Sequence, residues 1–355
     1  MNKIDLNGFR GLDNLEVLNL GNNKLNKIEA CSFESLKKLK LLNLSGNQMT
    51  AVDLSGFRGL ENLEELDLSS NHLIKIETNL FQYLVKLKRL KLEENRINAI
   101  EQNGFNGLVI LETLDLNHNN LILTETNSFQ NLNKLKQLIL YENQIIELQK
   151  DVFRDLVNLE ELWLFDNNLK TVEMNLFQHT KKLKKLVLGA NHINQIGSND
   201  FQGLENLEEL FLNNNELVFI EASSFQHLKH LKLLNLNGNQ ILNFNGFWEL
   251  KSLEELNLCE NKFVKIEEDA FRYLSKLRKL DLKKNQIEQI HSNGFRGLEH
   301  LEELHLEANK IKKIESNSFQ HLKALKTLNL KWNPIEKVDT NSFRGLESLE
   351  ELYMT

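Results

Sequence analysis

Hydrophobic positions recur along this chain on a fixed clock. Residues 63–86, LEELDLSSNHLIKIETNLFQYLVK, place leucine at 63, 66 and 68, asparagine at 71, aliphatic residues at 73 and 76, and phenylalanine at 81. The pattern restarts after 24 residues, carrying asparagine from Asn23 to Asn333 and phenylalanine from Phe9 to Phe343. Fifteen units result, the first and last incomplete, with a single 22-residue step from Asn239 to Asn261 and from Phe225 to Phe247.

Within a unit, Leu66 and Leu68 alternate with polar residues, which predicts a short strand with one buried face. Asn71 is placed where the strand ends. Its amide carries both donors and an acceptor, so it can satisfy backbone groups of its own turn and of the next. Leu73 and Ile76 then fill the middle and Phe81 the far side. No single unit encloses these side chains, so the units must stack to share a core. Strands stack about 4.8 Å apart whereas the Phe-bearing segments are bulkier, which bends the stack with its sheet inside. The expected fold is therefore an α/β-type solenoid curved into a horseshoe of about 15 repeats. Short parallel strands line the concave face; irregular, turn or short-helical segments form the convex face. One domain over residues 1–355 is expected, with a shortened repeat around 239–261 in which Phe244 replaces the usual aliphatic residue.

The pattern LxxLxLxxNxLxxIxxxxFxx, as at 63–83, resembles the leucine-rich repeat, in its 24-residue class with a phenylalanine spine. It is similar to the ectodomains of Toll-like receptors, Slit-type guidance proteins and variable lymphocyte receptors. The resemblance implies an extracellular or cell-surface protein that binds protein ligands. The cysteine-rich caps of such ectodomains are missing: Met1 aligns with Leu25 inside a repeat, and Thr355 falls just beyond a strand. Either the chain is a fragment, or its ends are protected otherwise; bare ends would expose core leucines such as Leu352 and a sheet edge, which favours end-to-end pairing into a homodimer.

Repeated residues explain the fold, and function is sought where exposed strand positions depart from the repeat. The residue between the two inward leucines runs Asn19, Asn43, Asp67, Lys91, Asp115, then Ile139, Trp163, Val187, Phe211, then Asn235, Asn257, Asp281, His305, Asn329 and Tyr353. Four apolar residues in succession interrupt a polar column. One position past the second leucine, Tyr141 and Phe165 add to two of the same strands. These six side chains are expected to expose several hundred Å² of apolar surface, the size of the largest patch on an ordinary monomer. His118, Glu142 and Asp166 on the loop side, with Glu161 and Lys185 opposite, are the expected polar rim. A smaller candidate is His305 with Trp332 and Tyr353.

Two residues before the first inward leucine, charge alternates without exception from Glu16, Lys40 and Glu64 to Lys326 and Glu350, so each group meets opposite neighbours. This column reads as structural or as the trace of a duplicated pair of repeats. The net charge of −7 speaks against binding nucleic acid by phosphate neutralisation, unless the ten histidines charge in an acidic compartment. No apolar run nears the roughly 20 residues that span a bilayer, and MNKIDLNGF has no apolar core of a signal peptide. Cys31 and Cys259 lie too far apart along an array to pair. No phosphate loop, nucleophile elbow or zinc motif is present. His227 and His230 have HxxH spacing, but Phe-Gln-His-Leu recurs at 225 and 319, so repetition explains His227 without a metal. The sequon Asn43-Leu-Ser45 falls on a strand.

The expected function is recognition of a protein or peptide on the concave sheet, without enzymatic activity, metal or cofactor. Two other readings stay open: a self-associating scaffold using the ends or the patch, and acid-dependent nucleic-acid recognition.

Overall fold

The computed structural model describes residues 1–124 and 127–354, so Thr355 lies outside the described residues. The chain forms two compact units: residues 1–169 with 175–183, and residues 170–174 with 184–355. Each is a parallel-strand solenoid, and the two contain about 14 turns in all.

In the first unit, the three-residue strands Val17–Asn19, Leu41–Asn43, Glu65–Asp67, Arg89–Lys91, Thr113–Asp115, Gln137–Ile139 and Glu161–Trp163 each pair in parallel with the next. In the second, Lys185–Val187, Glu209–Phe211, Leu233–Asn235, Glu255–Asn257, Lys279–Asp281, Glu303–His305, Thr327–Asn329 and Glu351–Tyr353 do the same. The register sets leucine against leucine, as in Leu42 opposite Leu66 and Leu66 opposite Leu90, and these side chains are fully buried.

On the return side, two-residue strands such as Lys75–Ile76 and Ala99–Ile100 pair in twos. The rest is turn, and among the described residues no helix forms. The expected short-helical segments are instead successive three-residue turns, with the Leu84 amide donating to the Phe81 carbonyl at 2.9 Å and Leu87 to Leu84 at 3.0 Å. Asn79, with φ 62°, lies in the left-handed region just before this run and stops a helix from propagating across it.

Within each unit the phenylalanines stack face to face: Phe57, Phe81 and Phe105 are 6.0 and 6.1 Å apart in the first, Phe271, Phe295 and Phe319 are 6.1 and 6.0 Å apart in the second. Strand spacing is about 4.8 Å, so in each unit the strand side is the shorter one.

The asparagines act as the pattern predicts. Asn119 donates from Nδ2 to the carbonyls of Leu92, Leu116 and Asn117 at 3.0, 3.1 and 3.1 Å, and its Oδ1 accepts the Ile97 amide at 2.9 Å. One buried amide therefore joins its own turn to the preceding coil. In the shortened coil the Ile241 amide reaches Asn261 Oδ1 at 3.0 Å. Phe244 takes up the missing volume, stacking on Phe263 at 4.2 Å and meeting Phe271 edge-on at 4.8 Å.

Candidate functional site

The first unit brings four of the six patch residues onto two adjacent strands. Ile139 lies directly opposite Trp163, and past the strand ends the Leu140 amide donates to the Trp163 carbonyl at 2.8 Å and the Glu142 amide to the Phe165 carbonyl at 3.0 Å. Those bonds hold Tyr141 and Phe165 in the same register. Leu138, Leu140, Leu162 and Leu164 are fully buried, so the period of two sends Ile139, Tyr141, Trp163 and Phe165 to the opposite face, where all four are half-buried.

Polar groups fix the orientation of the rings. The Trp163 indole donates to Glu161 Oε2 at 3.1 Å, and Gln137 donates to the same oxygen at 2.9 Å. His118 meets Tyr141 edge-on at 5.8 Å, and its Nδ1 lies 2.7 Å from Glu142 Oε2. Burial, then the charges of Asp115 and Glu142, hold the Tyr141 phenol above its usual range, so it stays a neutral donor and acceptor. His118, Glu142 and Asp166 occupy one corner in successive coils with φ of 50°, 52° and 54°. This left-handed residue follows the strand in coil after coil, in both units, and it points the expected rim away from the core.

In the second unit Val187 faces Phe211 across paired strands. Val187 is only 7% exposed, so it supports neighbouring groups and offers little contact surface. Lys185 lies 5.1 Å from the centre of the Phe211 ring and 2.8 Å from Glu209 Oε2, a cation–π contact tied to an ion pair.

Sequence reasoning missed Glu93, two coils before Tyr141. Burial, with the charges of Asp115 and Asp67 adding to it, pushes its carboxyl up to about 7, and its Oε2 is buried without a hydrogen-bond partner. Asp115 is raised too, by burial. The only signal was a carboxylate in a column where the flanking coils carry Ser69 and Asn117. The native state holds the Glu93 proton up to about 7 while the unfolded chain releases it near 4.5. Stability contributed by this group is thus present below pH 4.5 and lost as pH rises through 7. Glu93→Gln is expected to raise the melting temperature at pH 8 and leave it unchanged at pH 4; equal effects at both would refute the assignment.

The remaining candidates are less organised. His305 lies 3.3 Å from Glu307 Oε1 and 3.5 Å from Glu303 Oε2, and the Glu307 hydrogen bond raises its pKa. Trp332 sits on a left-handed corner and Lys331 covers Tyr353 at 4.7 Å; among the described residues no ring contact joins these aromatics to His305. His230 is turned onto the Glu205 carbonyl at 2.7 Å, and no group of three or more His, Cys, Asp or Glu among the described residues is placed to hold a metal. Both cysteines are free thiols, and burial pushes Cys259 up to about 12, far from reactive. The alternating column forms exposed ion pairs, Lys40 to Glu16 at 2.8 Å, Lys88 to Glu64 at 2.8 Å and Lys232 to Glu208 at 2.7 Å. Exposure and salt leave such pairs a minor role.

Two family models match, one described as leucine rich repeat over successive segments spanning 158–355, the other as BspA type leucine rich repeat region over 2–136 and 50–184. The chain belongs to the leucine-rich-repeat family. No curated protein sequence matches it. Among solved structures, a leucine-rich-repeat protein of Leptospira interrogans is 28% identical with a TM-score of 0.79, the match covering 96% of this chain and 84% of that one. A chain of the Toll–Spatzle complex of Drosophila is 22% identical with a TM-score of 0.79, covering 99% of this leucine-rich-repeat chain and 53% of its own. The plant peptide hormone receptor RGFR1, solved with RGF2, is 22% identical with a TM-score of 0.70, over 96% and 55%. The last two share the fold alone. Leucine-rich repeats commonly serve protein–protein interaction and are generally non-enzymatic. No helix among the described residues is long and apolar enough to cross a membrane.

Proposed function

We propose that this leucine-rich-repeat protein is a recognition module that binds a protein or peptide on its strand face, with Tyr141, Trp163 and Phe165 as anchors. The observation that carries the reading is the pairing of Ile139 with Trp163, flanked by Tyr141 and Phe165, on a face turned away from a complete leucine core. Large, half-buried aromatics, with the Trp163 indole held by Glu161 and the Tyr141 ring set edge-on to His118, are the kind of group that forms interface hot spots. Glu161, His118, Glu142 and Asp166 supply the polar rim, and Phe211 with Lys185 offers the second unit a contact of the same kind. Two neighbours of the same fold were solved in complexes, Toll with Spatzle and RGFR1 with RGF2, which is consistent with a macromolecular partner.

Selection from a random peptide library displayed on phage, with the whole chain as bait, tests the reading. Clones are expected whose binding falls about thirtyfold in the Trp163→Ala, Phe165→Ala double variant, as for loss of a ~2 kcal/mol hot spot. The variant should melt within a degree or two of the parent. Clones indifferent to the double change, or a variant that loses substantial stability, would show the aromatics to be packing alone.

A further inference from the structure

A second apolar surface lies on the outer side of the shortened coil, in the second unit and away from the strand face. Phe219, Trp248 and Tyr273 are 54%, 46% and 49% exposed, and they come from the return segments of three successive coils. Phe219 and Trp248 line one cavity of ≈ 300 Å³, and Trp248 and Tyr273 a second of ≈ 190 Å³. Trp248 and Asn245 belong to both, so the two cavities adjoin across the indole and together make the groove.

Gly246, with φ 96°, packs on Ile220 as glycines of full-length coils do: a Cβ there would stand 2.5 Å from Ile220 Cγ2, against 2.7 Å from Gly294 to Ile266 Cγ2. In a neighbouring coil, Lys265–Ile266 pairs with Gln289–Ile290, and the Ile266 carbonyl accepts the His291 amide at 2.9 Å. The corresponding Ile220, which lines the larger cavity, belongs to no second strand and its carbonyl meets no donor among the described residues, as holds also for the buried Val172 of a full-length coil.

The lining is acidic. Glu221 lines one cavity, and Glu267, Glu268 and Asp269 line the other with Arg272, which Asp269 engages at 3.3 Å while Arg296 lies 3.7 Å from the same carboxylate. Lys265 meets Glu267 at 2.9 Å from outside the groove and Asn293 donates to Glu268 Oε1 at 3.1 Å, while Glu221 and Glu268 have no ion-pair partner among the described residues.

We infer that this groove docks an extended segment of a protein partner in which an apolar side chain is flanked by Lys or Arg. The apolar side chain seats against Trp248, and the basic flanks meet Glu221 and Glu268. This occupant does not depend on the strand-face site.

The same phage selection separates the two surfaces. Expected are clones rich in an aromatic or aliphatic residue beside Lys or Arg, losing about tenfold or more in affinity with Phe219→Ala plus Trp248→Ala and unaffected by Trp163→Ala. Glu221→Gln with Glu268→Gln, which leaves the apolar packing intact, should weaken the same clones and flatten their salt dependence. The inference is overturned if no such clones are enriched, or if enriched ones ignore both pairs of changes. It is overturned equally if light scattering finds a dimer of the whole chain that Trp248→Ala dissolves, since the groove would then hold a second copy.

Discussion

Phe81→Ala is expected to cost about 3–5 kcal/mol of unfolding free energy, the range for emptying a buried aromatic position. The ring is fully buried and stacks nearly parallel on Phe57 at 6.0 Å and on Phe105 at 6.1 Å. Removing it takes one stacking face from each neighbour, although Phe105 keeps Phe129 at 6.2 Å. Relaxation is limited, because the coil is held on its other side by the strand ladder from Leu66 to Leu90. In a stack that contacts only nearest neighbours, such a defect separates the coils on either side. Urea unfolding followed by circular dichroism should show a lowered midpoint, with the transition broadened or split in two. A midpoint shift worth less than about 1 kcal/mol would mean that the phenylalanine column is not a structural spine.

Asn119→Asp should be comparably severe and should depend on pH. The substitution keeps Oδ1 for the Ile97 amide but removes the donors serving the Leu92, Leu116 and Asn117 carbonyls. At about 1–3 kcal/mol for each buried group left unpaired, the loss is at least about 3 kcal/mol. A carboxylate set among three carbonyls has its folded-state pKa raised above its unfolded value. Native stability then falls as pH rises through that interval, so the loss should be larger at pH 8 than at pH 4. Asn119→Ala removes the acceptor as well and should cost a similar amount at both values. Denaturation midpoints of the two variants at the two pH values decide it: a pH-independent loss for the aspartate would contradict the hydrogen-bond assignment.

The repeat was legible because it is written fifteen times. Leu66, Leu68, Asn71, Leu73, Ile76 and Phe81 were placed inside by period alone, and all are buried. The strand face was legible by the same alternation, which is why Ile139, Tyr141, Trp163 and Phe165 could be named together. How far they protrude was not. Val187 reads like its neighbours in the column but is buried, and the other members are half-buried, because cross-strand packing depends on the neighbouring side chains and not on the residue type. The short helices expected on the outer side fail for a local reason in many coils: a left-handed residue such as Asn79 lies just before the run and stops a helix from propagating across it.

Period and register are short-range matters, dictated by which residue follows which, and the amino-acid sequence alone determined them: the coil, its core, its asparagine turns and the alternating charges. Proximity across unlike positions is not. Phe219, Trp248 and Tyr273 occupy different places in the repeat, so no column contains all three, and Glu93 differs from its neighbours by only a carboxylate. Only the folded chain decided that those three aromatics line adjoining cavities and that Glu93 loses its water. Desolvation and concavity belong to the arrangement of several coils at once, and no single repeat contains them.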